Sequence, residues 1–185
     1  IHAIDLLRWL MGDEIEEVAA YADRLNHPSI EAEDLGLAMI RFKGGAYGLF
    51  EGTTDVYPAN LEQTLCVFGS RGTAKLDGPS ASAIEVWKFA DGADDAADVI
   101  ARCAQIPPDV YGFGHTPLYA DMAAAIRQGR PPYVDGEAGR RAVELVLAMY
   151  KSSREGRPVR LPLDDFSTLD MAGQFDGAAP PDALI

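Results

Sequence analysis

The chain has 185 residues, 48% of them hydrophobic and 24% charged, and a formal net charge of −13. That length supports one domain with a real hydrophobic core, and the composition is ordinary for a soluble globular protein. The acidic balance repels phosphate backbones and excludes nucleic acid as a general partner; no apolar run of about 18 residues is present, which excludes a membrane-spanning helix.

The chain opens inside an amphipathic pattern. Ile1, Ile4, Leu7 and Met11 recur near helical period, and Gly12 is the natural stop. His2, Asp5 and Trp9 share one stripe of that helix. No capping residue leads in, so further residues are expected upstream. Strands follow. Residues 16–24 read as a strand, with a loop at Asn26, His27 and Pro28. Residues 34–42 and 46–54 flank Gly44-Gly45 and read as an antiparallel hairpin. Further strands are expected over 60–69, 73–77 and 83–89, giving an antiparallel meander. The stretch 91–108 is rich in Asp and Ala and reads as an irregular surface excursion with room for a helical turn. Two helices come next. Residues 115–128 carry Leu118, Met122, Ala125 and Ile126 on one face, stopped by Gly129. Residues 136–155 carry Ala142, Leu145, Val146, Met149 and Tyr150, with Asp135 as a cap and Gly156 and Pro158 as the end. Val159–Leu161 reads as a last short strand. The predicted fold class is α+β, a mostly antiparallel open sheet with helices on one face. Residues 1–163 form the domain and 164–185 an extended tail.

The hairpin strands are apolar on both faces, with Leu35, Leu37, Met39 and Leu49 on one side and Ile40, Phe42 and Phe50 on the other. Helices suffice to cover one face, so a homo-oligomer through the open sheet face is expected.

Several segments resemble motifs of the Gfo/Idh/MocA oxidoreductases. Residues 1–12 resemble the family's I-H-x-I-D-x-x-x-W-L-x-G helix. Phe68-Gly69-Ser70-Arg71-Gly72-Thr73 resembles its strand-turn-strand. Gly114-His115 with Tyr119, Asp121 and Ala125-Ile126 resembles a following helix. Gly136–Gly139 through Tyr150–Ser153, ending at Val159–Pro162, resembles its last helix and strand. The order and spacing of these motifs carry the resemblance from residue 1 to about 163. It implies the C-terminal, substrate-side domain of an oxidoreductase that uses NAD or NADP. The reaction implied is hydride transfer at a CH–OH group of a sugar, inositol or similar polyol. The Rossmann fingerprint and the E-K-P motif with the family's lysine are absent from this sequence, and Gly44-Gly45 and Gly69–Gly72 lie between strands, the wrong context for a dinucleotide site. The chain alone is therefore expected to be inactive, with the cofactor held mainly outside it. A non-catalytic oligomerisation or sugar-binding module of the same fold is the alternative, and a regulator that lost redox function is a third reading.

The resemblance makes His2 the candidate catalytic residue, since an imidazole can take the proton of a carbinol. Asp5, one turn on, either orients that imidazole or makes a helix-surface or interdomain contact. His115 and Tyr111, in and after a glycine-rich loop, and Tyr57, in a loop between strands, are candidate substrate contacts. His115 is as readily a capping or packing residue. His27 reads as a surface loop residue, and Trp9 and Trp87 as core or interface packing. Cys66 reads as a buried hydrophobe, and neither it nor Cys103 suggests a metal or a disulfide. Asp91–Asp98 lacks the order of a calcium loop, and no metal is expected. A cytoplasmic location is the default, with no signal-peptide pattern in view.

Overall fold

A computed structural model describes residues 1–12, 14–92, 94–104 and 112–176. Helix α1, His2–Met11, ends on Gly12 with φ 88°, the left-handed turn that a residue without Cβ adopts at little cost. Strand β1, Ile15–Asp23, pairs antiparallel with β2, Leu35–Phe42, which pairs in turn with β3, Tyr47–Thr53, across the Gly44-Gly45 turn. Strands β4, Leu65–Gly69, β5, Gly72–Asp77, and β6, Ala83–Phe89, form a second antiparallel sheet. Helices α2, Ala96–Cys103, α3, His115–Gln128, and α4, Gly136–Glu155, follow. The two-residue β7, Val159–Arg160, joins the free edge of β1.

The strands thus fall into two sheets, ordered β3-β2-β1-β7 and β4-β5-β6, rather than the single meander expected. The chain divides accordingly into two compact units. One holds Ile1–Val56 and Gly136–Ile185, and the other is an insertion, Tyr57–Asp135.

In the first unit, α1 and α4 pack against each other, and α4 lies on β1. The inner sheet face supplies Val18, Ala20, Ala38, Ile40 and Phe42, all buried. Helix α4 contributes Ala142, Leu145, Ala148 and Met149. Small residues let helix and sheet approach closely. At Gly48 an added Cβ would lie 3.2 Å from Leu7 Cδ2 and 3.5 Å from Phe42 Cε2, so this glycine is the seat on which α1 rests. Strand β7 reaches along β1 only to Val18, paired with Val159. Beyond that point two hydroxyls of α4 replace the missing strand. Ala20 N–H donates to Ser152 Oγ at 3.0 Å and Ala22 N–H to Ser153 Oγ at 2.8 Å. Ser152 in turn donates to Arg157 O at 2.8 Å.

The outer face of this sheet is apolar and open. Tyr21 (77% exposed) pairs with Leu37, and Met39 (51%) pairs with Leu49 (84%).

Several expectations are corrected or completed by the structure. Residues 60–64 are not strand: regular pairing with β5 ends at Leu65 opposite Leu76, and beyond it one backbone bond, Gln63 N–H to Gly78 O at 2.9 Å, closes the end of the ladder. The 91–108 stretch contains a helix where the sequence leaves room for a helical turn. Asp95 caps α2 by accepting from the N–H of Ala97 and Asp98. The intended core face of α3 buries only Ala125, and Leu118, Met122 and Ile126 stay exposed. Cys66 is exposed, on the outward face of a two-sided strand, and so is Cys103. Trp9 is largely exposed, so it does not pack in the core of this chain. Within 164–176 the chain is not simply extended. A 3₁₀ turn at Thr168–Met171, with a Ser167–Asp170 capping box, buries Met171 and Phe175 against the first unit's core.

Candidate functional site

His2 is the first residue of α1, and its side chain is exposed. The helix is held in place from beneath. Ile4 and Leu7 are buried, and the Arg8 guanidinium, also buried, donates to Ala138 O of α4 at 3.4 Å. Asp5 shares the exposed side of α1 with His2. Its carboxylate lies 3.7 Å from Arg8 Nη1, and no hydrogen bond links it to His2 among the described residues. The apolar stripe therefore fixes the helix and leaves the imidazole presented outward.

The other candidates belong to the second unit. His115 is exposed at the first turn of α3, its ring stacked on Tyr119 with centroids 6.5 Å apart. Tyr57 is 95% exposed, at the start of the insertion. Tyr111 lies outside the described residues. Asp121, which the motif also contains, organises the turn after α3. It accepts from Tyr133 N–H at 2.6 Å and from Arg130 Nη2 at 2.7 Å, and these contacts lower its pKa.

A cavity of about 240 Å³ opens in the first unit beside the start of α1. Its walls include Ile1, Ile4, Ala38, Phe50 and Met149. Tyr150 on its rim donates to Glu33 Oε1 at 2.7 Å, and burial together with this contact pushes the phenol up to about 12. The walls are too apolar to bind a polyol by themselves.

One constellation escaped the sequence reading. His27 was expected to be a plain surface residue, yet its Nδ1 lies 3.2 Å from Asp34 Oδ2 and 3.0 Å from Asp55 Oδ1. The hairpin register brings these groups together, since Leu35 pairs with Thr53 and so sets residue 34 beside the end of β3. Asp34 is fully enclosed and accepts backbone N–H bonds from Leu25, Asn26 and His27 at 2.7, 2.8 and 2.9 Å. Burial pushes its carboxyl up, but these donors and the imidazole outweigh that and hold it at about 2. The three side chains offer one ligand atom each within 4.8 Å of one another. Asp34 Oδ2 already takes the N–H groups of Asn26 and His27 and the His27 ring, and Oδ1 takes Leu25 N–H, so the group ties the loop of residues 24–34 closed.

No strand–glycine turn–helix of the dinucleotide type occurs among the described residues, where every paired strand is antiparallel. The described residues by themselves thus supply no dinucleotide-binding turn of that kind.

An α+β unit whose helices cover one face of an antiparallel sheet, with a histidine presented at the start of the first helix, is the architecture of an oxidoreductase C-terminal domain. Residues 1–161 match the family described as the oxidoreductase family, C-terminal alpha/beta domain, and the chain belongs to it, the Gfo/Idh/MocA oxidoreductases. It is 31% identical over 165 residues to the myo-inositol 2-dehydrogenase of Thermotoga maritima, covering 87% of this chain and 47% of that protein. Among solved structures it resembles the WlbA dehydrogenase of Bordetella pertussis in complex with NADH and UDP-GlcNAcA, with TM-score 0.79 and 36% identity. That match covers 88% of this chain and 46% of the other. The fold also matches levoglucosan dehydrogenase in complex with NADH and levoglucosan, with TM-score 0.67 and 23% identity, over 88% of this chain and 49% of that one. The chain spans about half the length of the relatives it matches.

Proposed function

We propose that this chain is the substrate-side part of an NAD(P)-dependent oxidoreductase acting on a CH–OH group of a sugar, inositol or related polyol. The observation that carries this reading is the 36% identity and TM-score of 0.79 to WlbA, solved with NADH and a nucleotide sugar. The similarity to a myo-inositol dehydrogenase points to the same substrate chemistry. The cofactor is held by residues other than those of this chain, which by itself is inactive.

In this reading His2 is the catalytic group of the chain. Its exposed imidazole accepts the hydroxyl proton of the substrate, while the buried Arg8 and Leu7 keep α1 from rotating. Asp5, facing Arg8 at 3.7 Å, positions the start of the helix. His115, Tyr57 and Tyr111 are the residues we propose as substrate contacts, on the strength of the family resemblance. The open sheet face of β1-β2-β3 is an interface between copies, and the protein works in the cytoplasm.

The test is the absorbance change of NAD(P)H with the intact oxidoreductase and a panel of sugars and cyclic polyols. Turnover on at least one polyol supports the reading. No turnover with either cofactor across the panel, from a folded protein that binds neither, overturns it.

A further inference from the structure

We propose that His27 is a proton-operated latch. Its charged imidazole clamps the loop of residues 24–34 to the end of β3, and loss of the proton releases the chain where it leaves the first unit for the insertion. The geometry sets this up. Asp34 is fully enclosed, and Asp55 has a side chain only 16% exposed. The Nδ1–H of His27 has one direction and bonds to Asp34 Oδ2 at 3.2 Å. Asp55 Oδ1 lies closer, at 3.0 Å, yet it is buried and accepts no hydrogen bond among the described residues. Only the charge of the ring attracts that oxygen. A neutral ring leaves a buried carboxylate oxygen with neither donor nor counter-charge, beside a second carboxylate that stays ionised.

Two other charged groups of the loop, Arg24 and Glu33, are committed elsewhere, and Glu31 is exposed to solvent. Arg24 Nη1 donates to the carbonyls of Pro28 and Ile30 at 3.3 and 2.8 Å. Glu33 accepts from Tyr150 of α4. The groups in contact with the ring are Asp34, just before β2, and Asp55, just after β3.

What the latch holds is the crossover. Asp34 O accepts from Thr53 Oγ1 at 2.8 Å and from Thr54 N–H at 2.9 Å, and Asp55 N–H donates to Thr53 Oγ1 at 2.9 Å. The first unit ends one residue later, at Val56. When Asp55 moves out to regain water, these contacts at 53–55 loosen with it. The sign is fixed: the clamp is closed while His27 is protonated and opens as pH rises.

The test is residue-resolved amide hydrogen exchange on the 185-residue chain, corrected for intrinsic exchange, from about pH 5.5 to about pH 8.5, the range in which histidines titrate. Ring-proton shifts of His27 are followed in the same samples. Protection at Thr54 and Asp55 is expected to fall about tenfold as the ring loses its proton. That is the lower end for a bond to a charged group, because the half-exposed ring is screened. Val18 and Ile40 stay unchanged. His27→Gln is low and flat across the range, and Asp55→Asn is flat. Protection that holds while the ring titrates overturns the proposal, as does wild-type pH dependence in His27→Gln. Protection at high pH that zinc restores also overturns it, in favour of a cation site. The wild-type titration alone decides the matter should a variant not fold.

Discussion

The amide of Ala20 donates to the hydroxyl of Ser152, 3.0 Å away and 132 positions later in the chain. The hydroxyl stands where a strand would otherwise continue, because β7 ends beside Val18. Ser152 is almost wholly buried, so water cannot replace it. Ser152→Ala leaves the Ala20 N–H and Arg157 O without their partner. The expected loss is about 1–3 kcal/mol in urea unfolding. Lys151→Ala, on the same helix but half-exposed, is the control, expected within about 0.5 kcal/mol.

Asp34 makes the chain acid-sensitive. Its carboxyl is held at about 2, against an ordinary 3.8. A folded value below the unfolded one adds stability that is complete above the unfolded value and is lost as pH falls toward about 2. The contribution is about 2 kcal/mol at neutral pH. Asp34→Asn should lose stability at neutral pH and flatten the decline between about pH 5 and pH 2. Urea midpoints measured against pH check both. An undiminished acid decline in the variant assigns it to other carboxylates.

His2→Ala in the intact oxidoreductase should lower kcat/KM by about 10²–10⁴-fold, the range for a positioned general base. The exposed position predicts a change in stability within about 0.5 kcal/mol. Steady-state kinetics with a calorimetric scan separates the two effects. Unchanged kcat/KM removes His2 from the chemistry.

Leu49 and Met39 sit directly opposite each other on the open sheet face. A charge placed there would be buried without a partner if two copies meet face to face. Leu49→Asp should convert an oligomer to a smaller species in light scattering while leaving the circular dichroism spectrum unchanged. A wild-type protein that is monomeric at high concentration rules out the interface.

Local signals were legible where the chain itself supplies the answer. Gly12 and Gly129 take the left-handed turns that end α1 and α3, and the bounds of α3, α4 and β6 follow from residues within a turn of them. The family motifs marked His2 as the residue to examine, and α1 presents it outward as an exposed side chain. Long-range choices were not legible. Alternation over 60–69 does not disclose that regular pairing with β5 stops at Leu65, or that the strands divide into two sheets. The periodicity of 115–128 defines a face on α3 without showing what, if anything, covers it. His27 looked ordinary because its partners lie 7 and 28 residues away and meet it only through the folded hairpin. Counting outward from the Gly44-Gly45 turn would have set residue 34 against residue 54, and that register was the available clue.

Gly48 gives the catalytic proposal a vertical scale. Leu7 rests on it at a separation that one methyl group would reduce to 3.2 Å, so the height of α1 above the sheet is set by an atom that is not there. His2 rides on the same rigid helix. A side chain at position 48 would act as a shim, raising the imidazole by a few tenths of an ångström without touching it. Proton transfer is sensitive to displacements of that size. The reach of the proposed base is therefore tuned from the floor of the domain, by a residue no chemical motif would select.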